Sequence, residues 1–394
     1  MTDRPLIRLN PGADRRVKAG HPWAFSNEIA MTAAARAIPP GSVVRLEGDD
    51  GVKHGAWHFN PHSLIAARWL DDDPMAGCDA AWFRKRLGEC LALRERLFDA
   101  PFYRLVHAEA DGMPGLVVDR YGDALAVQAN TAGMDRALPD IIAALQDLVA
   151  PRVVVARNDA AVRKLEGLEE GVALLQGADG MAVVEEGGLS FPVDLLGGQK
   201  TGWFFDQRPN RAVVARMAKG RTVLDAFCHL GGFGLAAAQA GAAQVTLLDR
   251  SEHALDLAMQ AAARAGFGER VTSLKAEALD QLERMVASGR QFEVVIADPP
   301  AFAKTRKDIP AALKGYAKLA RLAAGVTAPG GVLFIASCSH HVGPSDFADA
   351  VAWGMHRARR RARILASVGA GPDHPVHPAL PESAYLKGQL LALD

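Results

Sequence analysis

Cysteine is scarce in this chain of 394 residues: Cys78, Cys90, Cys228 and Cys338 are scattered, and none stands in a CxxC pair. That pattern argues against a disulfide framework and a zinc knuckle, so no metal site is expected. Long apolar runs are also missing. No stretch approaches the roughly 20 residues a bilayer-spanning helix needs, and the opening MTDRPLIRLN lacks an apolar signal-peptide core. The expectations are no membrane partner and a cytoplasmic location. Net charge is absent, with 45 Lys plus Arg against 45 Asp plus Glu. This argues against indiscriminate polyanion binding and leaves only local basic faces. The densest is RARRRAR at residues 357–363, read as a solvated helix face. Arg15, Arg16 and Lys18 beside Trp23 are candidates for phosphate contacts. No internal repeat or low-complexity segment is evident.

What is present fits a globular protein, at 49% hydrophobic and 23% charged residues. The length calls for two or three domains. Residues 1–75 read as a β-rich module, alternating at 43–47 and 53–59 around the turn Gly48-Asp49-Asp50-Gly51. Residues 80–190 read as an α+β middle domain. Phe83, Leu87, Leu91 and Leu97 space a helix over 81–98, a second helix falls at 135–148, and strands fall at 103–109, 116–119, 124–129 and 153–156. Residues 191–394 form the last domain. From about 220, strands at 222–227, 244–249, 271–275, 292–297 and 331–337 alternate with amphipathic stretches such as 252–265 and 311–326. That is the sequence form of an α/β doubly wound parallel sheet, whose ligands bind at the carboxyl ends of the strands.

The residues after those strands carry chemistry. The first strand runs into Asp225-Ala226-Phe227-Cys228-His229-Leu230-Gly231-Gly232-Phe233-Gly234. Its glycines permit close backbone approach to a ligand, while Asp225 repels a diphosphate and suits an amine such as the α-amino group of S-adenosylmethionine. Cys228 within this loop is read as packing against that cofactor. Asp249, 24 positions after Asp225, ends the second strand, where a carboxylate accepts both ribose hydroxyls. Glu277 follows the third, within reach of an adenine amino group; the alternative role for each acid is a helix N-cap or first-turn carboxylate. The fourth strand ends in Asp298-Pro299-Pro300-Ala301-Phe302, a rigid bend expected to aim Asp298 and a base-stacking Phe302 into the crevice. The fifth ends in Ser337-Cys338-Ser339-His340-His341. A thiolate there can add to carbon 6 of cytosine and make carbon 5 nucleophilic, with Asp298 as the acid beside the ring.

Longer motifs point to a family. His21-Pro22-Trp23 with Phe25-Ser26, residues 109–122 (EADGMPGLVVDRYG), residues 198–211 (GQKTGWFFDQRPNR) and the tail Asp373-His374-Pro375 to Tyr385-Leu386-Lys387-Gly388 together resemble the RlmI-type 23S ribosomal RNA 5-methylcytosine methyltransferases over nearly the whole chain. The resemblance implies a class I, Rossmann-like methyltransferase sheet, preceded by a PUA-like RNA-binding domain and a central hairpin-bearing domain. It implies an S-adenosylmethionine pocket lined by Lys200, Thr201, Phe204, Asp206, Gln207 and Arg208. It carries over to Asp225, Phe227, Cys228, Gly231, Gly232, Phe233, Asp249, Arg250, Ser251, Glu277, Ala278 and Asp298, with Cys338 and Asp298 catalytic. Read without the resemblance, Asp206 and Arg208 suit a surface ion pair. Glu277 stands where the family more often has Asp, and His229-Leu230 replaces a Tyr-Thr-like pair. The implied partner is 23S ribosomal RNA or a large-subunit precursor, and a homodimer is left open.

Two other functions remain open at this level. An exocyclic-amine methyltransferase needs only Asp298 and the prolines, whereas carbon-5 chemistry needs Cys338. A non-catalytic RNA-binding or ribosome-assembly factor would have no use for Asp225, Asp249 and Asp298 together. A dehydrogenase fits least, since Asp225 and the DPP bend have no role there.

Overall fold

The computed structural model describes residues 4–198 and 201–394. They fall into two compact units, one of Met1–Ala182, Asp194–Trp203 and Pro372–Ser383, the other of Val183–Val193, Phe204–Gly371 and Ala384–Asp394. The first unit begins with β1 (Leu6–Arg8), β2 (Trp23–Ala24), β3 (Ser42–Glu47), β4 (Lys53–Phe59) and β5 (Ala67–Asp71), paired in the order β1-β3-β4-β5-β2. The expected hairpin is there: β3 and β4 pair antiparallel, with Gly51 at φ 79° in the turn between them. Their alternation sends Val44, Leu46, Trp57 and Phe59 into one core with Ile7 and Leu9. Two single-turn helices, α1 (Arg15–Lys18) and α2 (Ala33–Arg36), flank these strands in the chain.

Helix α3 (Ala80–Leu97) starts where the Asp79 carboxylate accepts the Trp82 N–H, a cap of about 1 kcal/mol. It packs with α5 (Leu138–Val149) on a second sheet. That sheet comprises β6 (Phe102–His107), β7 (Leu116–Tyr121), β8 (Ala124–Ala129), β9 (Val153–Asn158) and β10 (Gly171–Gln176), in the order β10-β9-β8-β7-β6. The single helix expected over 135–148 is two, because Pro139 has no N–H to donate and starts a new first turn: α4 (Ala132–Arg136) precedes α5. The basic cluster at the start of the chain is largely neutralised. Arg16 forks onto Glu28 and lies over Phe25, Lys18 pairs with Asp14 and Asp50, and the Trp23 indole N–H donates to Glu109. Of the three cations expected to meet phosphate, Arg15 alone extends exposed without a carboxylate among the described residues.

The hairpin of β11 (Met181–Glu186) and β12 (Leu189–Asp194) leads to α6 (Arg208–Ala215). The second unit then alternates: β13 (Thr222–Ala226), α7 (Gly232–Gln239), β14 (Gln244–Asp249), α8 (Glu252–Arg264), β15 (Val271–Lys275), α9 (Ala278–Ala287), β16 (Phe292–Ala297), α10 (Ile309–Val326), β17 (Thr327–Ser337), α11 (Pro344–Arg357), β18 (Ala362–Val368) and β19 (Lys387–Leu393). The sheet order is β15-β14-β13-β16-β17-β19-β18. Strands β13 to β17 are parallel and have the places expected of them. The sheet is not parallel throughout: β19 enters antiparallel between β17 and β18. Strand order reverses between neighbouring β13 and β16, so a crevice opens beyond their carboxyl ends.

The run at 357–363 is not a helix face. It crosses the end of α11, a turn with Arg359 at φ 56°, and the start of β18. Arg360 donates to the carbonyls of Ala324 and Thr327 and to the Asp394 carboxylate, so one guanidinium satisfies a helix end and a chain end together.

Candidate active site

Asp225, in β13, and Asp298, just beyond β16, stand on adjacent strands at the switch in strand order, with Ala226 in register with Ala297. Asp225 is buried and accepts the Gly234 N–H at 2.8 Å, spanning the loop from strand to helix. Gly234 has no room for a side chain: a Cβ would lie 2.4 Å from Leu247 and 3.2 Å from the Asp225 carboxylate. This glycine therefore serves helix-to-strand packing as well as ligand approach. Burial drives the Asp225 pKa up to about 8; the Gly234 bond opposes the shift, and the charges of Asp298 and Asp249 add to it. Three acids around one crevice favour a cation.

The loop itself is strained. Phe227 and His229 hold φ of 63° and 51°, in the left-handed region that side chains avoid, and Gly231 holds 74°. The Asp249 carboxylate fixes this shape: one oxygen accepts the His229 N–H and the other the Ser251 N–H, both at 2.9 Å. Each oxygen keeps a second lone pair for a ribose hydroxyl. Cys228 is buried, and burial pushes its thiol well above the ordinary range, as suits packing rather than reaction. Ser251 caps α8 through its hydroxyl, and Arg250 is exposed. Glu277 occupies the N-cap position of α9, but its side chain accepts no helix N–H and its carboxylate is exposed. Two expected lining residues turn inward. Phe233 is buried with its ring 5.2 Å from Phe334, and the Ala278 methyl lies in the core. Gly232 and Ala278 begin their helices, leaving backbone N–H groups as their contribution.

Of the 198–211 segment, Lys200 lies outside the described residues. Thr201 belongs to the first unit, where its carbonyl accepts the Tyr121 hydroxyl. Phe204 sets its ring edge-on to His229 at 5.1 Å. Asp206 and Arg208 are not a surface ion pair. Asp206 is buried and accepts the Tyr385 hydroxyl at 2.5 Å, while Arg208 meets Glu186 at 3.3 Å. Buried Gln207 donates to Asp298 at 2.8 Å and accepts from Asn210, which aims the Asp298 carboxylate.

At the end of β17, the Cys338 sulfur lies 3.9 Å from the Pro299 carbonyl, so the thiol and the DPP bend meet. Behind it the Tyr316 hydroxyl, buried in α10, bonds both Ser337 and Ser339 at 2.8 Å, and Ser339 accepts the Ala303 N–H. This chain of hydroxyls fixes the two residues flanking Cys338. Phe302 departs from expectation. Its ring lies 4.6 Å from Tyr316 and against Gly315, packed on α10 because glycine leaves space there, rather than aimed at the crevice. His340 and His341 are exposed, with His340 stacked on Tyr385 at 4.9 Å. Sequence reasoning gave no role to Tyr316, Lys387 or Glu186. A buried tyrosine and a buried lysine look like ordinary helix and strand residues until their partners are known. The donor set nevertheless fits a cationic, ribose-bearing cofactor.

Comparison with known proteins identifies the family and the fold. Residues 7–72 match a PUA-like domain family, and residues 159–390 match an S-adenosylmethionine-dependent methyltransferase family. The chain is 35% identical over 390 residues to ribosomal RNA large subunit methyltransferase I of Shewanella denitrificans, covering 97% of this chain and 98% of that one. It is 34% identical over 394 residues to the protein of the same name from Vibrio cholerae, with 98% of each chain covered. Among solved structures, a methyltransferase complexed with SAH superposes with a TM-score of 0.84 at 20% identity, covering 98% of this chain and 100% of that one. A SAM-dependent methyltransferase from Streptococcus mutans gives 0.82 at 20% identity and the same coverage. At that identity the two structures speak for the fold.

Proposed function

The chain belongs to the ribosomal RNA large subunit methyltransferase I family, and from that premise we propose that it methylates carbon 5 of a cytosine in 23S ribosomal RNA or a large-subunit precursor. It is an S-adenosylmethionine-dependent RNA methyltransferase. The observation that carries the finer reading is the meeting of the Cys338 sulfur with the DPP bend, 3.9 Å from the carbonyl next to Asp298.

Asp249 and Glu277 would hold the ribose and adenine, and Asp225 would face the α-amino group, with Phe204 and the backbone of residues 227–234 as walls. S-adenosylmethionine, when bound, supplies an electrophilic methyl group on a sulfonium. The Cys338 thiolate adds to carbon 6 of the cytosine, and the ring electrons shift toward N3, making carbon 5 nucleophilic. Asp298, oriented by Gln207, hydrogen-bonds the ring edge and favours that shift. After transfer, water takes the carbon-5 proton, the C–H electron pair re-forms the carbon 5–carbon 6 double bond, and the carbon–sulfur pair returns to sulfur, which restores the aromatic ring and the thiolate.

RNA carrying 5-fluorocytosine or 5-azacytosine at the target tests this. Wild type and Cys228→Ser should trap a covalent complex that survives denaturing electrophoresis. Cys338→Ser should bind S-adenosylmethionine normally, trap nothing and turn over no substrate. Methylation by Cys338→Ser at a normal rate would refute the thiolate route and favour methylation of an exocyclic amine.

A further inference from the structure

A buried lysine lies across the sheet from the residue before the cysteine. Lys387 opens β19 directly across from Ser337, the residue before Cys338. It is 7% exposed, and its Nζ donates to the carbonyls of Ser339 at 2.5 Å and Tyr385 at 2.9 Å, so the side chain reaches past position 338. No carboxylate pairs with it among the described residues. An ammonium buried among neutral carbonyls is unfavourable. Burial lowers the Lys387 pKa to about 8, with the Cys338 sulfur acting in the opposite direction. Two N–H bonds of this amine are committed to carbonyls. The third position on nitrogen is a lone pair when the amine is neutral and an N–H when it is charged.

We propose that Lys387 accepts the Cys338 proton and then serves as counter-ion to the thiolate. The S–H bond breaks, its electron pair stays on sulfur, and the proton moves to the Nζ lone pair, giving a thiolate–ammonium pair with no other reactant. Lys387 thus acts through Cys338, as a positioning residue. The inference rests on the reading of Cys338 as nucleophile. The other ionisable groups around the thiol do not take this part. Tyr316 of α10 is tied to Ser337 and Ser339, and burial raises its pKa. Asp298 after β16 is held by Gln207 and serves the ring edge of the base rather than the thiol. The Tyr385 hydroxyl is engaged by Asp206, and His340 is stacked outside, on that tyrosine.

The test is the pH dependence of alkylation of Cys338 by iodoacetamide in the full chain, read at that cysteine by peptide mass spectrometry, without RNA or cofactor. In wild type the rate should inflect at least one pH unit below the roughly 8.5 of a free thiol. Lys387→Met should move the inflection to 8.5 or higher and slow alkylation at pH 7 at least about eightfold. Its affinity for S-adenosylmethionine should be kept and its kcat reduced. Lys387→Arg, a cation that accepts no proton, should retain part of the low inflection. Coincident profiles for wild type and Lys387→Met would overturn the proposal. Should that variant not fold, a wild-type inflection at or above about 8.5 would do so alone. A low inflection together with full activity of Cys338→Ser would remove the nucleophile assignment but not the pair. An ordinary inflection with an inactive Cys338→Ser would remove Lys387 alone.

Discussion

Asp249→Asn tests the cofactor assignment against a purely structural role for the carboxylate. In the wild type each oxygen accepts one backbone N–H, from His229 and Ser251, and offers its remaining lone pair to the crevice. The amide keeps one acceptor oxygen and turns an NH2 toward the other N–H. Hydrogen bonds to a charged group contribute roughly 1.5–3 kcal/mol. Loss of one ribose contact should therefore weaken S-adenosylmethionine binding by about 10- to 150-fold. Because His229 sits at φ 51° and is held there by the same carboxylate, the variant should also lose about 1–3 kcal/mol of stability. Loop distortion alone would weaken binding too, so affinity by itself does not discriminate. Calorimetry with S-adenosylhomocysteine and its 2′-deoxy analogue does. Wild type should discriminate against the deoxy ligand, and Asp249→Asn should lose most of that discrimination. Equal discrimination in both proteins would refute the ribose contact and leave Asp249 as a loop clamp.

Two further outcomes follow from buried groups. The Asp225 pKa, raised from 3.8 to about 8, means that the folded protein holds this proton more tightly than the unfolded chain. Its contribution to stability is then complete below pH 4 and is lost as pH rises through 8. A cationic amine beside it should expel the proton, so S-adenosylmethionine affinity should rise with pH up to about 8. Calorimetry in buffers of different ionisation enthalpy reads that proton release, and its absence in wild type would refute the contact. Tyr316→Phe removes the hydroxyl that Ser337 and Ser339 share, so it should cost about 1–3 kcal/mol in thermal or urea unfolding and slow methylation while leaving cofactor affinity unchanged. An unaltered rate would show that the hydroxyl chain does not position Cys338.

Local chemistry made much of this protein legible from its sequence. Periodicity of apolar residues fixed five parallel strands and their helices, because each strand and helix carries its own repeat. Proline pairs, glycines and terminal acids marked the strand ends where Asp225, Asp249, Asp298 and Cys338 stand, because those residue types have few uses at such positions. What periodicity does not encode is pairing across long separations. The entry of β19 between β17 and β18, which brings Lys387 to Ser339 across 48 positions, is decided by packing of the whole sheet. So is the course of Phe302, which follows the vacancy at Gly315, and the division of Asp206 and Arg208 between Tyr385 and Glu186. An unpaired charge or an aromatic ring in a sequence has several satisfactory neighbours. Only the folded chain, by burying some and exposing others, selects one.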